Sequence, residues 1–60
     1  MKLTNEEKTQ YINAVCKQIF KRPYKKIELC EKATLRLNLL IRKRAGEYDN
    51  QTFQQLVKHV

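Results

Sequence analysis

The 60-residue chain has no serine or tryptophan, and it contains one histidine, one glycine and two cysteines. Without serine there is no Ser-His-Asp triad. One histidine and two cysteines, which form no CxxC pair, are too few ligands for an ordinary zinc site. A single glycine cannot build a glycine-rich phosphate loop. The sequence therefore predicts a protein that is not an enzyme and that holds no metal ion or cofactor.

Long apolar runs are also missing. No segment approaches the roughly 20 apolar residues of a membrane span, and the N-terminus MKLTNEEKT lacks the apolar core of a signal peptide. We therefore expect a cytoplasmic protein with no membrane partner, in which Cys16 and Cys30 are free thiols. If the first two helices form an antiparallel hairpin about Pro23, both cysteines lie level on its apolar faces. Whether they form a disulfide is left open.

Negative charge is scarce. Thirteen Lys and Arg residues against six Asp and Glu residues give a net charge of +7. Residues 1–45 carry +8 and residues 46–60 carry −1, so the positive field is centred on the first part of the chain. Such a field attracts polyanions. Nucleic acid, with DNA preferred to RNA, and an acidic protein surface are the expected partners.

Helix signals recur along the whole chain, and they predict a single all-α domain over residues 1–60. Thr4 and Glu7 have the spacing of a capping box, so helix 1 is expected over about 5–21. Pro23 then opens a long central helix 2 over about 24–45, which Gly46 ends. Asp49 is the expected N-cap of helix 3. These signals predict a small three-helix domain.

Helix 2 is apolar over more than one face. Its broadest apolar sector is predicted to face the core and comprises Ile27, Leu29, Cys30, Ala33, Leu37, Leu40 and Ile41. Leu35 and Leu39 fall outside that sector, among charged residues. The pattern therefore predicts that these two leucines are exposed and form a protein interface, for a homodimer or for another partner.

Basic residues suggest a nucleic-acid surface. Lys21, Arg22, Lys25 and Lys26 surround Tyr24 in the segment KRPYKK. In the first turn of a helix, Lys25 and Lys26 would oppose the helix dipole at a site suited to a phosphate. Together with further cations of helix 2, the predicted nucleic-acid contacts are Lys21, Arg22, Lys25, Lys26, Arg36, Arg42 and Lys43.

Two alternatives stay open at this point. Helix 2 could break at Thr34 into a helix-turn-helix, leaving Arg36, Asn38, Arg42 and Lys43 on a recognition helix. Alternatively, the chain is a non-enzymatic adaptor or inhibitor that docks through Leu35 and Leu39. The first function that the sequence predicts is a small basic nucleic-acid-binding regulator, and the adaptor is the second.

Overall fold

Three α-helices and one short 3-10 turn make up the fold. In a computed structural model that describes residues 2–60, α1 spans Asn5–Ile19, α2 spans Leu29–Arg44 and α3 spans Asn50–His59, with the 3-10 turn at Tyr24–Lys26. No strand occurs within residues 2–60. Helix α3 packs against both α1 and α2. The all-α three-helix prediction is confirmed.

The predicted caps explain where α1 and α3 begin. Thr4 Oγ1 accepts from the Glu7 amide at 3.1 Å, and the Glu7 carboxylate accepts from the Thr4 amide at 2.9 Å. Asp49 accepts from the Thr52 amide at 2.8 Å. Each bond satisfies an amide that a helix start would leave without a partner. The chain turns after α2 at Gly46, whose φ of +87° favours glycine.

Helix α2 begins later than the sequence predicted. Pro23 and Ile27 are extended and flank the 3-10 turn, and Glu28 is the N-cap of α2. The Glu28 carboxylate accepts from the Glu31 amide, while the Glu31 carboxylate accepts from the Glu28 amide at 2.7 Å. This reciprocal box starts the helix five residues beyond the predicted position. Lys25 and Lys26 therefore precede α2, in the 3-10 turn, so the prediction that they lie in its first turn at a phosphate-binding helix start is wrong.

The sixteen residues of α2 form four rows that run along the helix at i, i+4 spacing. The core row is Glu31, Leu35, Leu39 and Lys43, and the outer row on the opposite side is Leu29, Ala33, Leu37 and Ile41. Between them lie the polar row, Cys30, Thr34, Asn38 and Arg42, and the cationic row, Lys32, Arg36, Leu40 and Arg44.

The core row reverses the predicted orientation of α2. Leu35 and Leu39 are fully buried with Ile12, Cys16 and Leu56, so their prediction as an exposed interface is wrong. Leu29 and Leu37 were predicted to be buried, but they are 82% and 56% exposed. Two leucines are enough to fill the α2 side of the core because the core of so small a domain is narrow. The charged residues beside them have partners at the edge of the core.

The two cysteines lie in different environments. Cys16 is buried on α1, and burial raises the pKa of its thiol. Cys30 is exposed in the polar row of α2, where its Sγ lies 3.7 Å from a Glu28 carboxylate oxygen. Both are free thiols. The prediction that they share the core is therefore wrong, because the reversed orientation of α2 turns Cys30 towards solvent.

Candidate nucleic-acid surface

Two of the predicted phosphate-binding arginines have structural roles instead. Arg22 pairs with Glu31 and also donates to the Lys26 carbonyl at 3.2 Å. Arg42 pairs with Glu47 at 3.2 Å and donates to Gln18 of α1. The opposite charges of these two ion pairs neutralise each other along one edge of α2. Arg22 and Arg42 are therefore poor candidates for contacts with a polyanion.

Two lysines of α2 lie over aromatic rings. Lys43 Nζ is 5.2 Å from the centre of the Phe53 ring, and Lys32 Nζ is 5.5 Å from the centre of the Tyr24 ring. A ring face attracts a cation but does not cancel its charge. Lys43, a predicted contact, belongs to the end of the core row next to α3. Lys32, which is not among the predicted contacts, lies next to the 3-10 turn.

The 3-10 turn is anchored to α1 and to Val60, the residue that follows α3. The Tyr24 amide donates to Asn13 Oδ1 of α1 at 2.9 Å, and the Tyr24 hydroxyl donates to the Val60 carbonyl at 2.8 Å. Tyr24 also packs against the core. Lys25 and Lys26 of the same turn are exposed, as predicted, and form no ion pair within residues 2–60. The turn therefore presents two lysines from a fixed position.

These lysines continue into the cationic row of α2. Lys32 connects the two, because it contacts Tyr24 and is followed at i+4 and i+12 by Arg36 and Arg44. The row is about 18 Å long, carries no acidic residue and forms no ion pair within the described chain. We call this set the cationic surface: Lys25, Lys26, Lys32, Arg36 and Arg44. The i, i+4 spacing in the sequence could have revealed Lys32 and Arg44.

Lys21 lies apart from this set in the connection after α1. Helix α1 ends at Ile19, and Lys21 is exposed with a φ of +61°. This left-handed conformation is uncommon for a residue with a side chain. It lets the chain reverse before Pro23.

No helix-turn-helix is present in α2. The helix continues through Thr34. The side-chain amide of Asn38 donates a hydrogen bond from Nδ2 to the Thr34 carbonyl at 3.0 Å. This bond uses one donor of a side chain that the alternative assigned to base reading. That alternative is therefore wrong, and Arg36 is the one of its four residues that lies on the cationic surface.

Beside the cationic row, the outer row leaves an apolar strip exposed along α2. Leu29, Leu37 and Ile41 are 82%, 56% and 55% exposed, and Ala33 between them is also exposed. The row lies opposite Leu35 and Leu39, so no element of the described chain covers it. An exposed apolar strip of this length, beside charged residues, is typical of an interaction surface.

His59 is hydrogen-bonded to α1. Its Nε2 lies 2.8 Å from Thr9 Oγ1. This bond and the bond from Tyr24 to Val60 fix the C-terminal end of α3. These contacts hold the last turn of α3 against the domain.

Comparison with protein-family models finds no match for this sequence, and comparisons with curated proteins and with solved structures find none either. Within residues 2–60, no helix is long and apolar enough to cross a membrane.

Proposed function

We propose that the protein is a small, non-enzymatic, nucleic-acid-binding regulator that contacts phosphates through its cationic surface. The observation that carries the proposal is the division of cations along α2. Arg22 and Arg42 are paired on one edge of the helix, whereas Lys32, Arg36 and Arg44 share a row with no acidic residue. A row of unneutralised cations beside an anchored pair of lysines suits the regular phosphates of a nucleic-acid backbone.

Each group has a distinct part in the proposal. Lys25 and Lys26 contact phosphates as compact charges from a turn that Tyr24 fixes in place. Lys32 places its ammonium group over the Tyr24 ring, and Arg36 and Arg44 offer planar donor groups. Nothing in this set favours one base over another, so binding is expected to be independent of sequence. DNA is the preferred polymer, and the proposal places the protein in the cytoplasm.

The test is a salt titration of binding to duplex DNA, with single-stranded DNA and RNA as comparisons. Each phosphate contact contributes a slope of about −0.9 to log K against log salt on duplex DNA. Changing Lys25 and Lys26 together to glutamine should flatten the slope by about 1.8. Arg36→Gln should flatten it by about 0.9. Circular dichroism should show the helix content of the unmodified chain in both variants.

The matched control is the double variant Lys2→Gln with Lys58→Gln, which loses the same charge from another surface. These two lysines border a shallow depression along the outer side of α3. If the proposal holds, the control changes the slope much less than the Lys25 and Lys26 variant does. Equal effects would show that net charge alone drives binding, and the cationic surface would lose its special role.

An acidic protein surface would meet the same cations, so it is the second candidate. Poly-glutamate of matched charge, titrated in competition with duplex DNA, separates the two. Phosphates match the fork of Arg36 and Arg44 and are regularly spaced, so DNA should bind more tightly at equal charge. Tighter binding of poly-glutamate would reject the nucleic-acid proposal and favour an adaptor with an acidic partner.

A further inference from the structure

The exposed outer row of α2 is unusual because it is the most apolar row of the helix. The core row has two leucines between Glu31 and Lys43, whereas every residue of the outer row is apolar: Leu29, Ala33, Leu37 and Ile41. All four are exposed. In a chain this small, these apolar residues would stabilise the fold more if they were buried in the core. Their outward position needs a partner to cover them.

We propose that the outer row is a homodimer interface, in which the α2 helices of two copies pack in antiparallel orientation. When two helices cross at about 50°, their rows at i, i+4 spacing run parallel to each other. This is the commonest helix packing in globular proteins. A two-fold axis level with position 35 then brings Leu29 opposite Ile41 of the second copy. The same axis brings Ala33 opposite Leu37.

The spacing of large and small residues favours a second copy as the occupant. In the antiparallel arrangement, the small Ala33 of each copy faces the large Leu37 of the other, and Leu29 faces an Ile41 of equal size. A parallel pairing would place Ala33 against Ala33 and leave a gap. The row is thus complementary to itself under the two-fold axis, which is what an isologous interface requires.

Charges at the ends of the helices fit the same orientation. Glu28, the N-cap of α2, is exposed, and Arg44 ends the helix. Antiparallel pairing brings Arg44 of the second copy within one turn of Glu28, whereas parallel pairing would place the two Arg44 side chains together. Lys26 of the second copy, in the 3-10 turn that precedes α2, lies beyond the same end of the helix pair and adds a positive charge there. The ends therefore combine attraction with repulsion, and the apolar row must supply the affinity.

The two-fold axis also has a consequence for the cationic surface. This axis lies in the interface and crosses the outer row, so it reverses the direction of the row. The flank of the row that carries the cations nevertheless stays on the same face of the dimer in both copies. The cationic rows of both copies therefore lie on one face of the dimer. The two lysine turns are about 20–40 Å apart along that face, a range that includes the roughly 34 Å of one duplex turn.

Sedimentation equilibrium of the unmodified chain, without nucleic acid, tests the dimer itself. We expect a weak dimer that tightens as salt screens the repulsion between two chains of charge +7. Leu37→Gln removes two buried leucines from each dimer and should weaken it by about tenfold to a hundredfold. Ala14→Gln, at an exposed position of α1, is the control and should leave it unchanged. A monomer at millimolar concentration in moderate salt would overturn the proposal.

Cysteine cross-linking tests the orientation. All chains carry Cys30→Ala, and diamide is the oxidant. Chains with Ala33→Cys and chains with Leu37→Cys should cross-link to each other when mixed, because these positions face each other in the antiparallel dimer. Ala33→Cys alone should not cross-link, because its two Cα atoms are about 8 Å apart in that dimer, beyond disulfide range. Cross-linking of Ala33→Cys alone would overturn the antiparallel arrangement.

The shared cationic face rests on the proposed function and has its own readout. Leu37→Gln should reduce the salt slope on duplex DNA to about half of the value for the unmodified chain, because each bound monomer then contacts half as many phosphates. A slope unchanged in a variant shown to be monomeric would reject the shared face. Failure of the Lys25 and Lys26 variant would instead reject the proposed function, while the sedimentation result would still stand.

Discussion

Leu37 and Leu39 are two residues apart on the same helix, yet the structure predicts very different effects of changing each to alanine. Leu39 is fully buried and Leu37 is 56% exposed. Removing three carbon atoms from a fully buried site costs about 2.4 kcal/mol in transfer free energy, before any cavity is counted. The cavity raises the expected cost of Leu39→Ala to about 2.5–5 kcal/mol. Leu37→Ala should cost about 1 kcal/mol or less, since less than half of its side chain is covered.

The total stability of so small a domain makes this difference easy to see. A 60-residue chain is expected to have a free energy of unfolding of about 3–9 kcal/mol. Leu39→Ala should therefore remove most of it, or leave the chain unfolded at 25 °C, whereas Leu37→Ala should keep a cooperative transition. The assay is urea unfolding followed by circular dichroism at 222 nm. Protein concentration is kept low, so that burial of Leu37 in a dimer does not contribute.

The opposite result would refute the reasoning. If Leu37→Ala costs as much as Leu39→Ala in the monomer, the outer row is not exposed and the orientation of α2 is wrong. Leu35→Ala provides a second measurement at the other buried position of the core row, and it should behave like Leu39→Ala. Leu29→Ala, at 82% exposure, should behave like Leu37→Ala.

Three further predictions concern stability and reactivity. The pKa values of Glu7 and Asp49 are lowered chiefly because each carboxylate accepts a backbone amide bond at a helix start. The caps therefore stabilise the fold above the ordinary pKa values of 4.5 and 3.8, and this contribution should be lost as pH falls. Urea titrations at pH 6 and pH 3 should show a smaller loss of stability in Glu7→Gln and Asp49→Asn than in the unmodified chain. Tyr24→Phe removes the bond to the Val60 carbonyl and should cost about 0.5–1.5 kcal/mol, without changing the salt slope, because the ring that holds Lys32 remains; a changed slope would show that the hydroxyl positions the surface. A bulky thiol reagent should label Cys30 quickly in the native protein and Cys16 at the rate of unfolding, and rapid labelling of both would contradict the burial of Cys16.

Much of the fold could be predicted from the sequence because its signals are local. The capping box at Thr4, the N-cap at Asp49 and the left-handed Gly46 each act within a few residues, so their spacing is enough to place them. The start of α2 could not be predicted in this way, because Pro23 and Glu28 are both acceptable starts and only the packing of Tyr24 on α1 and α3 selects Glu28.

The candidate site depended on the tertiary structure far more than the fold did. The sequence determined that the chain is basic, helical and poor in catalytic groups, because these are properties of composition and periodicity. It could not determine which side of α2 faces inward, since apolar residues occupy both the core row and the outer row. That choice depends on residues distant in the sequence: Leu35 and Leu39 pack with Ile12, Cys16 and Leu56, and the charges beside them pair as Glu31 with Arg22, Arg42 with Gln18, and Lys43 with Phe53. These contacts satisfy the charges at the edges of the core and leave the outer row and the cationic row facing solvent.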